Sequence, residues 1–587
     1  MRILSGIGVS PGIAIAPAYK VDRGEIAVEE SSVPAEHVEA EIKRFEKALQ
    51  KSKDQLIHIQ ASVAKTMGED SAAIIETQIM LLSDVSVIDE TKEVIRKKKY
   101  SAETAFDKVI NKGIEVLDGQ ADQVMADRAH DLRDLRRRVL SNLMELSHHV
   151  IVDVREDRIL VVQHLAPSET AHLFHNQFVG IALEMGGTTS HVAIMTRTME
   201  IPCVIGLDGV TDHIDSRDTV IIDGSNGKVI VNPTDEVLDE YREKQKAQQR
   251  RREWISKYID EKGITTDGHR VSVGSNIELP GEVESVLKYN SDGVGLFRTE
   301  LLYTRSDRLP GEDEQTRVYR SLTDKIDPKP LIIRTFDIGG DKFSEILGTP
   351  FEPNPFLGWR AIRIGLSRPR ILKTQIRAIL RASHNRNIKM MFPMISNIDE
   401  VQQALKLVEE SKDELRHEGL DFQENLEVGV MIEVPSAALL SKEIAELVDF
   451  FSIGTNDLVQ YTLAVDRGNQ RISHLYQSFN PAVLDLINMT IASAHRAGIW
   501  CGLCGEIAAD ARATILLVGL GIDELSVNPP SVPKIKGIIH SISKKEARKI
   551  AGECLRFSTH REVVEHLDKK ARELLPEEFF EGFSKIV

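Results

Sequence analysis

The chain has 587 residues, 42% hydrophobic and 28% charged, which is the composition of a soluble globular protein too long for one core and implies about three or four domains. Its 74 basic against 90 acidic residues give a net charge of −16 at pH 7, which argues against a nucleic-acid or anionic-membrane partner and suits a basic protein partner. The four cysteines, Cys203, Cys501, Cys504 and Cys554, are too few and scattered for a disulfide framework, and no apolar run approaches the ~20 residues of a membrane span, so the expected location is the cytoplasm.

The first twenty residues alternate apolar and small side chains, and their prolines and glycines break any signal-peptide core, so they read as strand. From 33 to about 146 the pattern is helical, opening with a long amphipathic run over 35–67 that is free of Gly and Pro. A second helix is expected over 70–82, where Ile74, Ile75, Ile79, Met80 and Leu82 make a stripe wide enough for a bundle core. From 151 the texture turns to short strands, 157–163, 180–184, 219–223 and 228–232, the last two flanking the hairpin signal Gly224-Ser225-Asn226-Gly227. The expected organisation is an α/β domain over 1–21 and 147–233 interrupted by a helical bundle over 22–146. A charged helical run then provides a linker over 234–261.

Beyond the linker, eight strand-like segments can be counted, 270–279, 293–299, 330–338, 388–394, 428–435, 450–456, 499–506 and 524–528, nearly all separated by helical ones. Eight such units predict a (β/α)₈ barrel over 262–587, whose active site belongs at the C-terminal strand ends. Those ends carry Arg298, Arg334 with Lys342 beyond it, Glu433, Asn456, Asp457 and Cys504, with Arg467 a little further on. Arginine forks match the oxygens of phosphate and carboxylate, so Arg298, Arg334, Lys342 and Arg467 point to a small, multiply charged anion. Glu433 and Asp457 offer hard oxygen ligands that suit Mg²⁺.

A second candidate centre lies in Gly186-Gly187-Thr188-Thr189-Ser190-His191, where a histidine follows a glycine and hydroxyl turn at the expected start of a helix. Free N–H groups and the dipole of a first turn favour an anion, so the position suits a histidine that carries a phosphoryl group.

With the Thr-Arg-Thr-Met-Glu-Ile-Pro-Cys-Val-Ile-Gly that follows, this stretch resembles the phosphohistidine segment of phosphoenolpyruvate-utilising enzymes. Val-Gly-Leu-Phe-Arg-Thr-Glu, Arg-Thr-Phe-Asp-Ile-Gly-Gly-Asp-Lys, Asn-Pro-Phe-Leu-Gly-Trp-Arg-Ala-Ile-Arg, Phe-Ser-Ile-Gly-Thr-Asn-Asp-Leu-Val-Gln-Tyr and Leu-Cys-Gly-Glu all look like Enzyme I of the sugar phosphotransferase system, in the same order. The related dikinases and synthases need a large ATP-grasp domain, for which residues 1–150 leave no room.

The resemblance implies an N-terminal phosphohistidine α/β swivel domain with an inserted bundle that binds the carrier HPr, followed by a barrel that binds phosphoenolpyruvate and dimerises. It implies transfer of the phosphoryl group to His191 Nε2 and on to a histidine of HPr, with release of pyruvate. Arg298, Arg334 and Arg467, helped by Lys342 and Arg360, would bind the phosphate, and Asn456 and Asp457 the rest of the substrate. Glu433 and Asp457 would hold Mg²⁺, and Cys504 would protonate the pyruvate enolate. The alternative is a regulatory, nitrogen-type relay not coupled to transport, whose known forms carry an N-terminal sensory domain that is not expected here. Two departures stand out: Cys501, which makes a C-x-x-C with Cys504 and reads as packing, and Gln78, where the family often has a histidine in its carrier-binding bundle.

Overall fold

The computed structural model describes residues 1–21, 26–67, 69–118, 123–145, 154, 156–163, 165, 177–185, 191–199, 201–304, 308–339, 354–467, 469 and 471–580. Two compact units emerge, Met1–Gln249 and Arg250–Val587.

The first unit contains an eight-stranded sheet and a helical bundle. The strands are β1 (Arg2–Ser5), β2 (Ile7–Ser10), β3 (Ile13–Lys20), β4 (Arg158–Val162), β5 (Phe178–Leu183), β6 (Cys203–Ile205), β7 (Thr219–Asp223) and β8 (Lys228–Val231), in the order β1-β8-β7-β3-β4-β5-β6-β2. The β3-β4-β5-β6 run is parallel, and β7 and β8 form the antiparallel hairpin that the Gly-Ser-Asn-Gly turn signals.

The first twenty residues thus supply three strands, and β1 and β2 occupy opposite edges of the sheet with only Gly6 between them. The sheet must therefore curl until its edges meet. Gly6 donates its N–H to Gly227 at 2.8 Å, and a Cβ on Gly8 would lie 2.0 Å from the carbonyl oxygen of Gly224. Glycine is needed at that closure because two backbones touch there.

The bundle consists of Val38–Met67, Glu69–Leu82, Val85–Lys98, Ala102–Asp118 and Gln123–Leu143. Phe45, Leu56, Ile75, Ile95, Phe106, Leu135 and Val139 fill its interior, with the Phe45 and Phe106 rings 5.6 Å apart. Of the stripe expected for the core on 70–82, Ile75 and Leu82 are buried and Ile79 is half-buried. Met80 is 63% exposed, a correction to that expectation, since the bundle covers less of the helix's circumference than the apolar stripe spans. Gln78 is buried, its amide reaching Asp134 at 3.4 Å, so the polar group that stands at this position faces inward. The side chain of Ile74 lies outside the described residues.

In the second unit, β9 (Ser272–Ile277), β10 (Val294–Phe297), β11 (Leu331–Arg334), β12 (Ile388–Phe392), β13 (Val428–Ile432), β14 (Phe450–Ile453), β15 (Trp500–Leu503) and β16 (Glu524–Val527) close a barrel in sequential order. Every pair is parallel, including β16 with β9. The eight strands expected from the sequence are all present but shorter, since Pro435 and Thr455, expected in strands, already open the helices that follow β13 and β14. Leu296, Ile332, Met391, Met431, Phe450 and Cys504 fill the barrel's interior. The charged linker helix runs Asp235–Ser256, and Trp254 near its end is buried in the barrel's outer core against Phe579, ring centroids 6.1 Å apart. Among the described residues, no helix is long and apolar enough to cross a membrane.

Candidate active site

The strand ends of the barrel open into a cavity of about 460 Å³ lined by Arg298, Arg334, Arg360, Asn456, Asp457, Arg467, Glu433 and Cys504, together with Asp337, Glu300 and Glu278. Of the barrel residues proposed from the sequence for the site, all that are described line it, and Lys342 alone lies outside the described residues.

Arg334 is the last residue of β11, where the strand delivers its guanidinium to the rim. It bonds Glu300 Oε1 at 2.8 Å and pairs with Asp337 Oδ2 at 3.1 Å, while its buried Nε has no hydrogen-bond partner among the described residues. Arg360 comes from the segment after the strand, and its Nε and Nη2 reach Asp337 Oδ1 at 3.1 and 2.8 Å. Its Nη1 donates to the Tyr461 hydroxyl at 3.2 Å.

Burial works against the charge of Asp337, but the two guanidinium groups outweigh it and hold the carboxyl below its ordinary range. Arg298 pairs with Glu278, and Arg467 approaches Glu506 at 3.8 Å. Glu506 also accepts from Asn456 Nδ2 at 3.2 Å, and its own N–H donates to Asn456 Oδ1 at 2.9 Å, so the amide is held from both ends.

Glu433 follows β13 and is 1% exposed. Burial, and then the charges of Asp457 and Asp337, push its carboxyl up to about 8, although Arg334 and the N–H of Met394 oppose this. Asp337, Glu433 and Asp457 each offer an oxygen within 4.8 Å of the others. Asp337 is already neutralised by two arginines, whereas the charge on Glu433 is under-compensated. A hard divalent cation is the group whose arrival would balance it, so the residues fit a metal of the oxygen-ligand class. Asp457 lies 3.9 Å from Arg360 Nη2, and Asp337 carries the closer arginine contacts of the three.

Cys504 follows β15, is 4% exposed and faces the barrel interior, where burial pushes its thiol up to about 11. Ser452 Oγ lies 3.3 Å from its sulfur. Cys501 belongs to the outer core, between strands and helices, so the two thiols point to opposite faces of one strand and cannot form a disulfide without refolding it.

His191 is the first residue of the helix His191–Thr198, which is the position the sequence suggests, and its side chain lies outside the described residues. The helix is tied to the sheet where Ser10 Oγ donates to the Thr196 carbonyl at 3.1 Å.

Sequence reasoning missed the counter-ions. Asp337, Glu278, Glu300 and Glu506 give no signal in the sequence beyond lying near strand ends.

Comparison with known proteins gives this arrangement a class. Residues 252–544 match the PEP-binding domain of PEP-utilising enzymes, residues 5–128 their N-terminal domain and residues 154–227 their mobile domain. The chain is 43% identical to a phosphoenolpyruvate-protein phosphotransferase of Priestia megaterium over 96% of its length and 98% of that protein. It is 41% identical to the protein of that name from Bacillus subtilis (strain 168), covering 96% of this chain and 99% of that one. With the Haemophilus influenzae protein it shares 39% identity over 97% and 99%. Among solved structures, it is similar to the solution structure of Enzyme I (nEIt), with 34% identity over 42% of this chain and 99% of that chain and a TM-score of 0.36. The chain belongs to the phosphoenolpyruvate-protein phosphotransferase family.

Proposed function

We propose that this enzyme transfers the phosphoryl group of phosphoenolpyruvate to its own His191 and then to a histidine of an HPr-type carrier protein, releasing pyruvate. The observation that carries the reading is the convergence, at one barrel mouth, of four arginines, a carboxylate pair fit for a cation and a buried thiol.

Arg298, Arg334 and Arg467 bind the phosphate, with Arg360 and Lys342 assisting, and Asn456 and Asp457 hold the enolpyruvate part. Glu433 and Asp457 would hold Mg²⁺, which would supply charge withdrawal from the phosphate and carboxylate oxygens. In the transfer the bridging O–P bond breaks, a P–N bond forms on His191 Nε2, and the oxygen keeps the electron pair as pyruvate enolate. The enolate carbon takes the proton of Cys504 Sγ, which makes the step productive. A thiol held up to about 11 is fully protonated at neutral pH and so is ready to donate.

The domain assignment that accompanies this reading is a phosphohistidine domain over 1–21 and 147–233, the carrier-binding bundle over 22–146, a linker over 234–261 and the barrel over 262–587. Dimerisation through the barrel, a cytoplasmic location and a place at the head of sugar uptake come from the family resemblance. A swivel about the linker is required because His191 serves both barrel and carrier.

Incubation of the protein with Mg²⁺ and ³²P-phosphoenolpyruvate, beside His191→Ala, tests the reading. Acid-labile label and pyruvate from the wild type alone are expected. Label on neither protein, with both folded, overturns it.

A further inference from the structure

Ser452 lies on β14 with its hydroxyl inside the barrel and is 3% exposed. Around it are Leu296, Ile332, Met391, Met431 and Phe450, an apolar interior in which an unbonded hydroxyl is costly. Its one hydrogen-bond partner among the described residues is the sulfur of Cys504, at 3.3 Å. The contact is built in by strand pairing: Ser452 is in register with Gly502 of β15, and the Cys504 N–H donates to the carbonyl of Ile453 at 3.1 Å. Among the described residues, a hydroxyl placed here has only the sulfur to serve.

We propose that Ser452 is a positioning residue for Cys504, its O–H orienting the thiol and stabilising the thiolate that remains once the enolate has taken the proton. The proposal rests on the reading of Cys504 as proton donor. In that step the S–H bond breaks, a C–H bond forms at the methylene carbon of the enolate, and the electron pair stays on sulfur as thiolate. Ser452 O–H then donates to S⁻, and water at the cavity mouth returns the proton for the next turnover. Of the charged groups that face the sulfur, Arg334 and Arg298 favour the thiolate and Glu433 opposes it. Both arginines are also engaged with carboxylates, whereas the serine hydroxyl is committed to the sulfur.

The test uses the full chain with Mg²⁺, phosphoenolpyruvate and pyruvate in D₂O, following deuterium entry into the pyruvate methyl group by NMR for wild type, Cys504→Ala, Ser452→Ala and Ser452→Thr. In parallel, iodoacetamide alkylation of Cys504 is followed by peptide mass spectrometry from pH 7 to 9, where the rate reports the thiolate fraction. Loss of a hydrogen bond to a charged group corresponds to about 10-fold or more. Ser452→Ala is therefore expected to slow exchange by about 10-fold or more and to displace the alkylation line downward by a similar factor, with Ser452→Thr recovering most of both. Ser452→Cys, similar in size but a weak donor, serves the same comparison if the alanine variant does not fold.

Exchange at the wild-type rate in Cys504→Ala sinks the reading of Cys504, and the proposal with it. Loss of exchange in Cys504→Ala while the variant lacking the Ser452 hydroxyl matches wild type in both assays overturns the proposal alone. Slowed exchange with unchanged alkylation also overturns it, because Ser452 would then act through packing.

Discussion

Met394 donates its backbone N–H to Glu433 Oε1 at 2.6 Å from a left-handed conformation, φ 57°, that a methionine rarely adopts. Such strain persists only where surrounding packing enforces it, and Met394 is 1% exposed just beyond β12. The bond fixes one oxygen of the carboxylate. The other lies against Gly454, where an added Cβ would stand 2.8 Å from Glu433 Oε2.

Gly454→Ala is therefore expected to push Glu433 out of place and weaken divalent-cation binding by about 10-fold or more, and Glu433→Gln to weaken it further. Mn²⁺ titration followed by electron paramagnetic resonance measures this without turnover. Unchanged Mn²⁺ affinity in Glu433→Gln would remove that residue from the metal site.

Asp337→Asn should behave differently. Arg334 and Arg360 would lose the carboxylate they share, and breaking a buried pair of this kind costs about 3 kcal/mol or more. A lower melting temperature for the barrel and a raised KM for phosphoenolpyruvate are expected, with Mn²⁺ affinity changed less than in Glu433→Gln. The reverse order would make Asp337 a principal ligand.

How much of this was legible beforehand depended on distance along the chain. The eight barrel strands were readable because each is a short apolar run between helical segments, and Arg298, Arg334, Glu433 and Cys504 because they stand at strand ends. The pairing of Asp337 with Arg360 was not, since the two stand 23 residues apart in the one connection after β11 and meet where Gly339 bridges Arg360. The left-handed backbone of Met394 left no mark in the sequence, because packing and not residue type imposes it. Likewise, nothing in residues 1–20 told that β1 and β2 would take opposite edges of one sheet, since alternation marks a strand but not its neighbour.

Glu524, at the start of β16, has its carboxyl set into a niche where a Cβ on Gly295 would lie 2.2 Å from Oε1. Burial pushes its carboxyl from the ordinary 4.5 up to about 7, with Lys389 opposing the shift and Asp292 adding to it. The folded state thus binds this proton more tightly than the unfolded chain does. The stability it contributes is full below about 4.5 and is lost as pH rises to about 7. Glu524→Gln should flatten this part of the profile, measured by urea unfolding of the barrel between pH 5 and 8. An unchanged slope would mean the carboxyl is ionised throughout.

Oxidation should leave Cys501 and Cys504 unlinked. Treatment of the native protein with diamide followed by peptide mass spectrometry is expected to show no bridge between them, and Cys501→Ala to retain activity with some loss of stability from the outer core. A Cys501–Cys504 disulfide formed without unfolding would contradict the placement of the two side chains.

Each arginine around the cavity reaches a carboxylate of its own chain: Arg298 with Glu278, Arg334 with Glu300 and Asp337, Arg360 with Asp337, and Arg467 with Glu506. An entering anion does not meet bare cations but displaces internal partners, and only one with several charges can displace several at once. Pyruvate, with a single charge, competes poorly for the same arginines. The same pairs that set a threshold for entry therefore favour departure of the product.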